Sequence, residues 1–245
     1  MIDKLIISHA PDLFERLKLP LSIGIVGESA SGKSTITEDF IKVLSEYWSI
    51  TRINTDDYYY DNSEAVKRAG SFAKWAKDKD LDSPDAMDLN LMKKHISLLK
   101  SGHNVWLPKY DMSGTAIRYD KYTYASPSDI IISEGLFTMC IKDIFDICIY
   151  IDIDKQVQKQ RWYARAIERN LGDSMDIMYK NADDKANIYI RPFKDKCDII
   201  ISGEGPRPRY KELMEKVLKF ILKQKECTHG FKKLTTCYQG SIRIK

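Results

Sequence analysis

The sequence has no long apolar run, and its cysteines and histidines are few and scattered. No stretch approaches the roughly 20 apolar residues of a membrane-spanning helix, and the N-terminal Met-Ile-Asp-Lys does not resemble a secretory signal. The five cysteines form no C-x-x-C pair, and the four histidines show no metal-binding spacing. These absences predict a protein without membrane contact whose thiols stay reduced.

The sequence also has no block of like charge, no internal repeat and no low-complexity segment. The formal net charge is only +4, and lysine and arginine are dispersed, which argues against a nucleic-acid-binding tail. Hydrophobic residues make up 43% of the chain and charged residues 30%, as in ordinary globular proteins. With 245 residues the chain is long enough for one substantial α/β domain.

The most informative pattern present is LSIGIVGESASGKST, at residues 21–35. An apolar run leads into G-x-x-x-x-G-K-S and then into a helical pattern, which is the setting of a phosphate-binding P-loop. The glycines let backbone amides point at phosphate oxygens, while the lysine can reach the β- and γ-phosphates and the serine hydroxyl can ligate Mg2+. We therefore expect ATP and Mg2+ as cofactors, bound through Gly27, Ser29, Ala30, Ser31, Gly32, Lys33, Ser34 and Thr35.

Apolar runs alternate with helical patterns along the chain, which predicts an α/β fold: a mostly parallel sheet with helices on both faces. The predicted strands are 21–27, 50–55, 129–133, 147–153 and 197–202. The predicted helices are 33–48, 63–79, one that starts within 82–88 and ends near 100, 154–170 and 208–225. Within residues 104–125, aromatic residues alternate with other residues on either side of a Ser113-Gly114 turn. This pattern predicts a β-ribbon outside the sheet.

Two carboxylates follow predicted strands. Ligands of open α/β sheets bind at the carboxyl ends of the strands, where Asp56 and Glu134 are expected to lie. Asp56 can accept the proton of an attacking hydroxyl or help to hold Mg2+, and Glu134 can serve Mg2+ directly or through water. The alternatives are a turn or capping role for Asp56, with Asp57 as its competitor, and a helix-start role for Glu134.

Further polar and aromatic residues suit a phosphate and a ring-bearing acceptor. Arg161, Arg165 and Arg169 share one helical face, as in a lid that closes over phosphate, although a solvated face is the alternative; Arg165 is the best single candidate. Asp82 can bind sugar hydroxyls or cap a helix. The tyrosines around the ribbon can form a pocket wall or serve as β-formers; they are Tyr58, Tyr59, Tyr110, Tyr119, Tyr122 and Tyr124.

In order and spacing, these motifs resemble the uridine–cytidine kinases and their phosphoribulokinase relatives over about residues 20–202. The matching pieces are Gly27–Thr35, Asp56-Asp57-Tyr58-Tyr59, Asp82–Asp88, Pro108–Asp111, Ile131–Gly135, Arg161-x-x-x-Arg165, Pro192-x-Lys194 and Asp198–Ile201. The resemblance implies a P-loop kinase in which Asp56 is the general base on a sugar 5′-hydroxyl. It further implies that Ser34 and Glu134 serve the metal, Asp82 holds ribose hydroxyls, Tyr59 and Tyr110 flank the base, and Arg165 meets the phosphates.

The sequence departs from the family pattern at the acceptor end. Met112 and Thr115 stand where the family has a phenylalanine and a base-reading histidine, and Arg118 comes one residue late. The adjacent arginines of the family's lid are Arg161-Trp162 here, and its Arg-Gly-Arg lid tip is Arg169-Asn-Leu-Gly172. The acceptor need therefore not be uridine, and we expect it to meet Tyr59, Asp82, Tyr110, Thr115 and Arg118.

Two other functions stay open beside a nucleoside kinase. A phosphoribulokinase-like sugar-phosphate kinase would need an extra basic group, for which Arg118 or Lys109 is available. A nucleotide-sensing protein that has lost phosphoryl transfer would fit the altered lid and reader positions.

The predicted organisation is a helical extension over 1–20, a P-loop kinase domain over 21–226 with a lid at 155–187, and a tail over 227–245. The expected partner is a small molecule, a nucleoside or sugar, rather than nucleic acid or a membrane. A homo-oligomer is possible. ATP use together with reduced thiols predicts the cytoplasm.

Overall fold

The computed structural model describes residues 6–7, 19–76, 79–112, 115–168, 172 and 175–204. Several predictions fall outside these described residues: the helix expected within 1–20, the turn at Ser113-Gly114, Arg169, the final helix at 208–225 and the tail.

Within the described residues, eight strands form two sheets. They are β1 (Ile6–Ile7), β2 (Leu21–Gly27), β3 (Ile50–Asn54), β4 (Val105–Tyr110), β5 (Arg118–Ala125), β6 (Ile130–Glu134), β7 (Ile147–Asp152) and β8 (Ile199–Ser202). The main sheet has the order β1-β8-β7-β2-β6-β3, with β1 antiparallel at one edge and the other five strands parallel. Strands β4 and β5 form the separate antiparallel ribbon. The predicted α/β sheet and its ribbon are thus confirmed.

Six α-helices connect these strands in the part of the chain that is described. They are α1 (Lys33–Leu44), α2 (Ser63–Ala69), α3 (Phe72–Ala76), α4 (Leu89–Lys100), α5 (Lys155–Glu168) and α6 (Met175–Tyr189). Short 3-10 helices cover Thr55–Tyr58, Pro84–Ala86, Thr138–Ile144 and Arg191–Lys196. No helix among these residues is long and apolar enough to cross a bilayer.

Helices cover both faces of the sheet. On one face α1 buries Ile36, Phe40 and Leu44, each 1% exposed, at the four-residue spacing of one helical stripe. On the opposite face α4 buries Met92, Ile96 and Leu99 completely. The strands between them are buried on both sides, as their unbroken apolar runs predict.

Several element ends differ from the predictions because local interactions stop them. Helix α1 ends at Leu44 rather than near 48, and Tyr47, which lies beyond this end, is 44% exposed. The charged stretch 63–79 contains two helices, since Gly70 ends α2 in the left-handed conformation at φ +82°. Helix α4 begins at Leu89, where the Asp88 side chain accepts a 3.0 Å hydrogen bond from the Leu91 amide.

Candidate active site

The loop between β2 and α1 has the curled shape that the P-loop motif predicts. Gly27 ends β2, and a Cβ there would lie 2.7 Å from the Ile151 carbonyl oxygen and 2.8 Å from Ser31 Oγ. Gly32 has φ +95° immediately before the first residue of α1. Because glycine alone adopts both positions without strain, the backbone can turn there and present its amides at the helix N-terminus.

Lys33 lies among the charged side chains that the sequence analysis selected. Burial lowers its pKa to about 8, while the carboxylates of Glu134 and Asp56 oppose this shift and the Arg165 guanidinium adds to it. Its Nζ donates a 2.9 Å hydrogen bond to the Glu28 carbonyl oxygen. A partly buried ammonium group beside a ring of amides fits an anionic ligand such as triphosphate.

The side chains of Ser34 and Glu134 lie together at the N-terminus of α1. Ser34 Oγ donates a 3.0 Å hydrogen bond to Glu134 Oε2, and the other carboxylate oxygen accepts a hydrogen bond from Arg52. Glu134 is 3% exposed, whereas Ser34 is accessible. Two oxygen ligands fit Mg2+, which usually combines one or two protein groups with phosphate oxygens and water. Among the described residues no set of three or more His, Cys, Asp or Glu is arranged to hold a metal.

Neighbouring strand ends place Glu134 beside the segment that carries Asp56. Glu134 is the last residue of β6 and pairs in register with Asn54, the last residue of β3. Thr55 Oγ1 donates a hydrogen bond to the Glu134 carbonyl oxygen. A Cβ on Gly135 would lie only 1.5 Å from that hydroxyl, so glycine is required where the two strand ends meet.

Asp56 and Asp57 have different surroundings. Strand β3 ends one residue earlier than predicted, so Asp56 lies in the 3-10 helix, and its amide donates a 3.1 Å hydrogen bond to Asn54 Oδ1. The Asp57 carboxylate instead faces the ribbon, where it accepts hydrogen bonds from the Tyr110 amide at 3.2 Å and from Lys109 Nζ at 2.9 Å. Asp57 therefore anchors the ribbon, whereas the Asp56 charge acts on Lys33.

Three residues expected at the acceptor, Tyr59, Tyr110 and Asp82, lie near one another and near Asp56. The ring of Tyr59 is 5.2 Å from the ring of Tyr110, and its hydroxyl donates a 3.1 Å hydrogen bond to the Leu81 carbonyl oxygen. Burial raises the pKa of Tyr59, and the charges of Asp56 and Asp82 raise it further. Burial also raises the pKa of the Asp82 carboxyl. Asp56, which the sequence predicts as a base, therefore lies near a pair of partly buried aromatic rings.

Thr115, Arg118 and Lys109 are engaged with protein carboxylates. Thr115 is exposed, and its hydroxyl donates a hydrogen bond to Asp111. Arg118 Nη1 lies 3.6 Å from Asp88 Oδ2, and Lys109 is held by Asp57. Of the remaining tyrosines whose side chains are described, Tyr58 is buried and bonded to His95, whereas Tyr122 and Tyr124 are about half exposed.

The arginine stripe on α5 divides into different roles. Arg161 Nη1 donates a 2.9 Å hydrogen bond to the Gly203 carbonyl oxygen, whereas the Arg165 charge acts on Lys33. Trp162, which replaces a lid arginine of the family pattern, is 9% exposed and packs with Ala30 of the P-loop. Trp162 therefore joins α5 to the phosphate loop through apolar contact.

Sequence reasoning missed three residues outside the P-loop that support it. Gln158 Nε2 donates a 2.8 Å hydrogen bond to the Ser29 carbonyl oxygen, and Arg191 binds the Glu28 carboxylate. A Cβ on Gly203 would lie 2.0 Å from the Ser31 carbonyl oxygen. No local pattern marks these contacts, because each joins residues more than a hundred positions apart.

A parallel sheet with this cradle, and an acidic residue at each neighbouring strand end, defines a P-loop kinase. The model of the Phosphoribulokinase / Uridine kinase family matches residues 22–207. The chain therefore belongs to the phosphoribulokinase / uridine kinase family, which confirms the resemblance seen in the sequence.

Named relatives agree with this assignment. The chain is 29% identical over 219 residues to the uridine kinase of Lactobacillus helveticus, a match that covers 85% of this chain and 99% of that one. It is 33% identical over 196 residues to the uridine kinase of Clostridium perfringens, covering 77% and 90%. The solved structure of a possible uridine kinase from Bacillus stearothermophilus has the same fold, with a TM-score of 0.50 and 21% identity over 76% of this chain and 90% of that one.

Proposed function

We propose that this protein transfers the γ-phosphoryl group of ATP to the 5′-hydroxyl of a uridine- or cytidine-like nucleoside. The observation that carries the proposal is the position of Asp56. Asp56 lies in the 3-10 helix between Asn54, which pairs with Glu134, and Tyr59, whose ring is 5.2 Å from that of Tyr110. Its negative charge raises the pKa of both Lys33 and Tyr59, in keeping with a place between the phosphate end and the acceptor end. A base between donor and acceptor is what in-line phosphoryl transfer requires.

In this proposal Asp56 orients the acceptor hydroxyl and accepts its proton while the oxygen attacks the γ-phosphorus. The bond from the γ-phosphorus to the β,γ-bridging oxygen breaks, and ADP leaves. Lys33 and Arg165 offset the charge that develops on the transferring group. Ser34 and Glu134 would hold Mg2+, which would neutralise further phosphate charge when bound. Catalysis then comes mainly from positioning and electrostatics.

A nucleoside acceptor is favoured over a sugar phosphate because the basic side chains near the acceptor end are already paired with protein carboxylates. A phosphorylated acceptor needs a basic group for its existing phosphate, but Lys109 and Arg118 each face a protein carboxylate. Tyr59 and Tyr110 instead offer aromatic surface for a base, and Asp82 offers a carboxylate for ribose hydroxyls. The names of the uridine kinase relatives support the same choice.

Selectivity among pyrimidine nucleosides is expected to be modest. Met112 is 61% exposed, and Thr115, at the position of the family's base-reading histidine, is also exposed, so neither is buried against a base. A site that lacks a buried hydrogen-bond donor for the base loses discrimination between analogues.

Incubation with γ-labelled ATP, Mg2+ and single acceptors tests the proposal. We expect label on uridine or cytidine and none on 5′-deoxyuridine, which keeps the base but lacks the reacting hydroxyl. Faster labelling of ribulose 5-phosphate would overturn the choice of a nucleoside. ATP binding without transfer to any acceptor would overturn phosphoryl transfer and favour a sensor.

A further inference from the structure

Glu28 places a carboxylate inside the P-loop, and Arg191 neutralises it. Arg191 Nε lies 2.8 Å from Glu28 Oε1, and Nη2 lies 2.7 Å from Oε2, which is a two-pronged pairing. The Glu28 side chain is 12% exposed and the Arg191 side chain 28%. Paired forks of this kind are among the strongest charged hydrogen bonds. Lys155 Nζ lies 3.8 Å from the same carboxylate, so Arg191 provides the closer of two ion pairs. Without the arginine, Glu28 would place an incompletely paired negative charge in the phosphate-binding loop.

The same arginine connects the P-loop to both helices of the lid region. Arg191 also pairs with Asp183 of α6, and Asp183 pairs in turn with Lys155 of α5. Gln158 of α5 accepts a 3.0 Å hydrogen bond from Tyr179 of α6 while it donates to the Ser29 carbonyl oxygen. Two successive P-loop residues are therefore held by a network that includes α6.

The other side of α6 reaches the loop that carries Asp82. Lys185 pairs with Asp80, two residues before Asp82, and the lysine charge lowers the pKa of Asp82 against the effect of burial. Residues 183 and 185 are two positions apart in the helix and so do not share a face. Helix α6 thus contacts the nucleotide side through Asp183 and the acceptor side through Lys185.

We propose that α6 transmits nucleotide binding to the loop at residues 79–88, with Arg191 and Lys185 as positioning residues at its two contacts. A ligand that fixes the P-loop fixes Glu28 and Arg191, and through α6 it fixes Lys185 and Asp80. The acceptor then meets a loop that is already ordered, so each ligand strengthens binding of the other. The link to an acceptor rests on the proposed function, whereas the transmission to this loop does not.

Amide hydrogen exchange with a non-hydrolysable ATP analogue and Mg2+ tests the transmission without any acceptor. On analogue binding we expect exchange in residues 79–88 to slow at least about threefold in the natural protein, because ordering raises local protection. Lys185→Met should bind the analogue equally well but lose the slowing. Lys180→Met is the control, since Lys180 pairs with Asp184 on an exposed part of the same helix and should keep it.

Arg191 is tested by substitutions that separate charge from geometry. Arg191→Met should weaken analogue binding at least about fivefold, the lower end of ordinary coupling, and Arg191→Lys should recover part of the loss because it keeps the charge without the fork. Thermal melting shows whether each variant is folded.

A reversed pair separates the ion pair from a general effect of Lys185. Lys185→Asp combined with Asp80→Lys should restore the slowing. The inference would be overturned if analogue binding still slowed exchange of residues 79–88 in Lys185→Met. It would also be overturned if binding did not slow exchange there in the natural protein. Failure to phosphorylate any nucleoside would overturn the proposed function instead, since the exchange experiment contains no acceptor.

Discussion

Ser34 Oγ donates a 3.0 Å hydrogen bond to Glu134 Oε2, although the two residues are a hundred positions apart. The first belongs to the helix after the P-loop and the second ends the neighbouring strand β6. Their hydrogen bond brings a hydroxyl and a carboxylate to one point beside Lys33. That point is where the proposed reaction needs its divalent cation.

Replacing the carboxylate should weaken metal use. We expect Glu134→Gln to raise the Mg2+ concentration for half-maximal activity by about 10- to 100-fold, the usual cost of disturbing a metal site. Activity titrated with Mg2+ at saturating ATP measures it. Glu38→Gln is a matched control, because Glu38 lies 3.9 Å from the same Arg52 but is 61% exposed. Equal shifts in both variants would trace the effect to Arg52.

Asp56→Asn should keep ATP affinity and lower turnover at least ~100-fold, the ordinary contribution of a general base. Asp57→Asn should instead raise the KM for the acceptor, because it loosens Lys109 and Tyr110 on the ribbon. Steady-state kinetics on both variants separates the roles. Unchanged turnover in Asp56→Asn would remove this residue from the mechanism.

Gly135→Ala should destabilise the protein by about 3 kcal/mol, since the new methyl group would lie 1.5 Å from Thr55 Oγ1 and 2.4 Å from Thr55 Cβ, too close for rotation of the hydroxyl to relieve. Gly70→Ala is the control: Gly70 also has positive φ, but nothing lies within 4 Å of a Cβ there. It should cost only about 1–2 kcal/mol from backbone strain. Urea unfolding of the two variants gives the comparison, and equal losses would contradict the steric explanation.

The free energy of unfolding should fall as the solution becomes more acidic, because of the protonation of one histidine, His95. Burial lowers the pKa of His95, and the charges of Lys94 and Arg118 lower it further, against the opposing charge of Asp88. At a pH just below the unfolded pKa, His95 therefore binds a proton in the unfolded chain but stays neutral in the folded chain. The contribution is therefore present above about pH 6.5, the unfolded value, and is lost as the pH falls through it.

The test compares the free energy of unfolding at pH 5 to 8 in the natural protein and in His95→Asn, which keeps an acceptor for the Tyr58 hydroxyl. The difference between the two should grow between pH 5.5 and 7 and then level off. His103→Asn, at an exposed position bonded to Ser101, should follow the natural protein at every pH. A constant difference for His95→Asn would contradict the prediction.

The sequence predicts the sheet well because buried parallel strands are uninterrupted apolar runs. The run before Gly27 and the run before Glu134 both form strands with every residue buried. Element ends are predicted less well, since they depend on caps such as Asp88 and on the left-handed Gly70. These interactions are local, but several neighbouring residues compete for each of them.

At the site, sequence reasoning selected residues that lie at or just after the carboxyl ends of strands. Asp56 and Glu134 lie beside Lys33 because parallel strands finish at one edge. It preferred Asp56 to Asp57 as the catalytic candidate but did not predict the role of Asp57, since that role depends on the ribbon folding back onto its carboxylate. It also missed Arg191, because a pairing of residues 28 and 191 leaves no trace in local spacing.

The close packing of Gly203 against Ser31 has a consequence for folding during synthesis on the ribosome. The phosphate loop is translated within the first 35 residues, yet its rear support arrives with residue 203, whose amide donates a 2.6 Å hydrogen bond to the Asp152 carbonyl oxygen. The loop can therefore reach its fully supported form only after residue 203 has left the ribosome, when the last parallel strand joins the sheet.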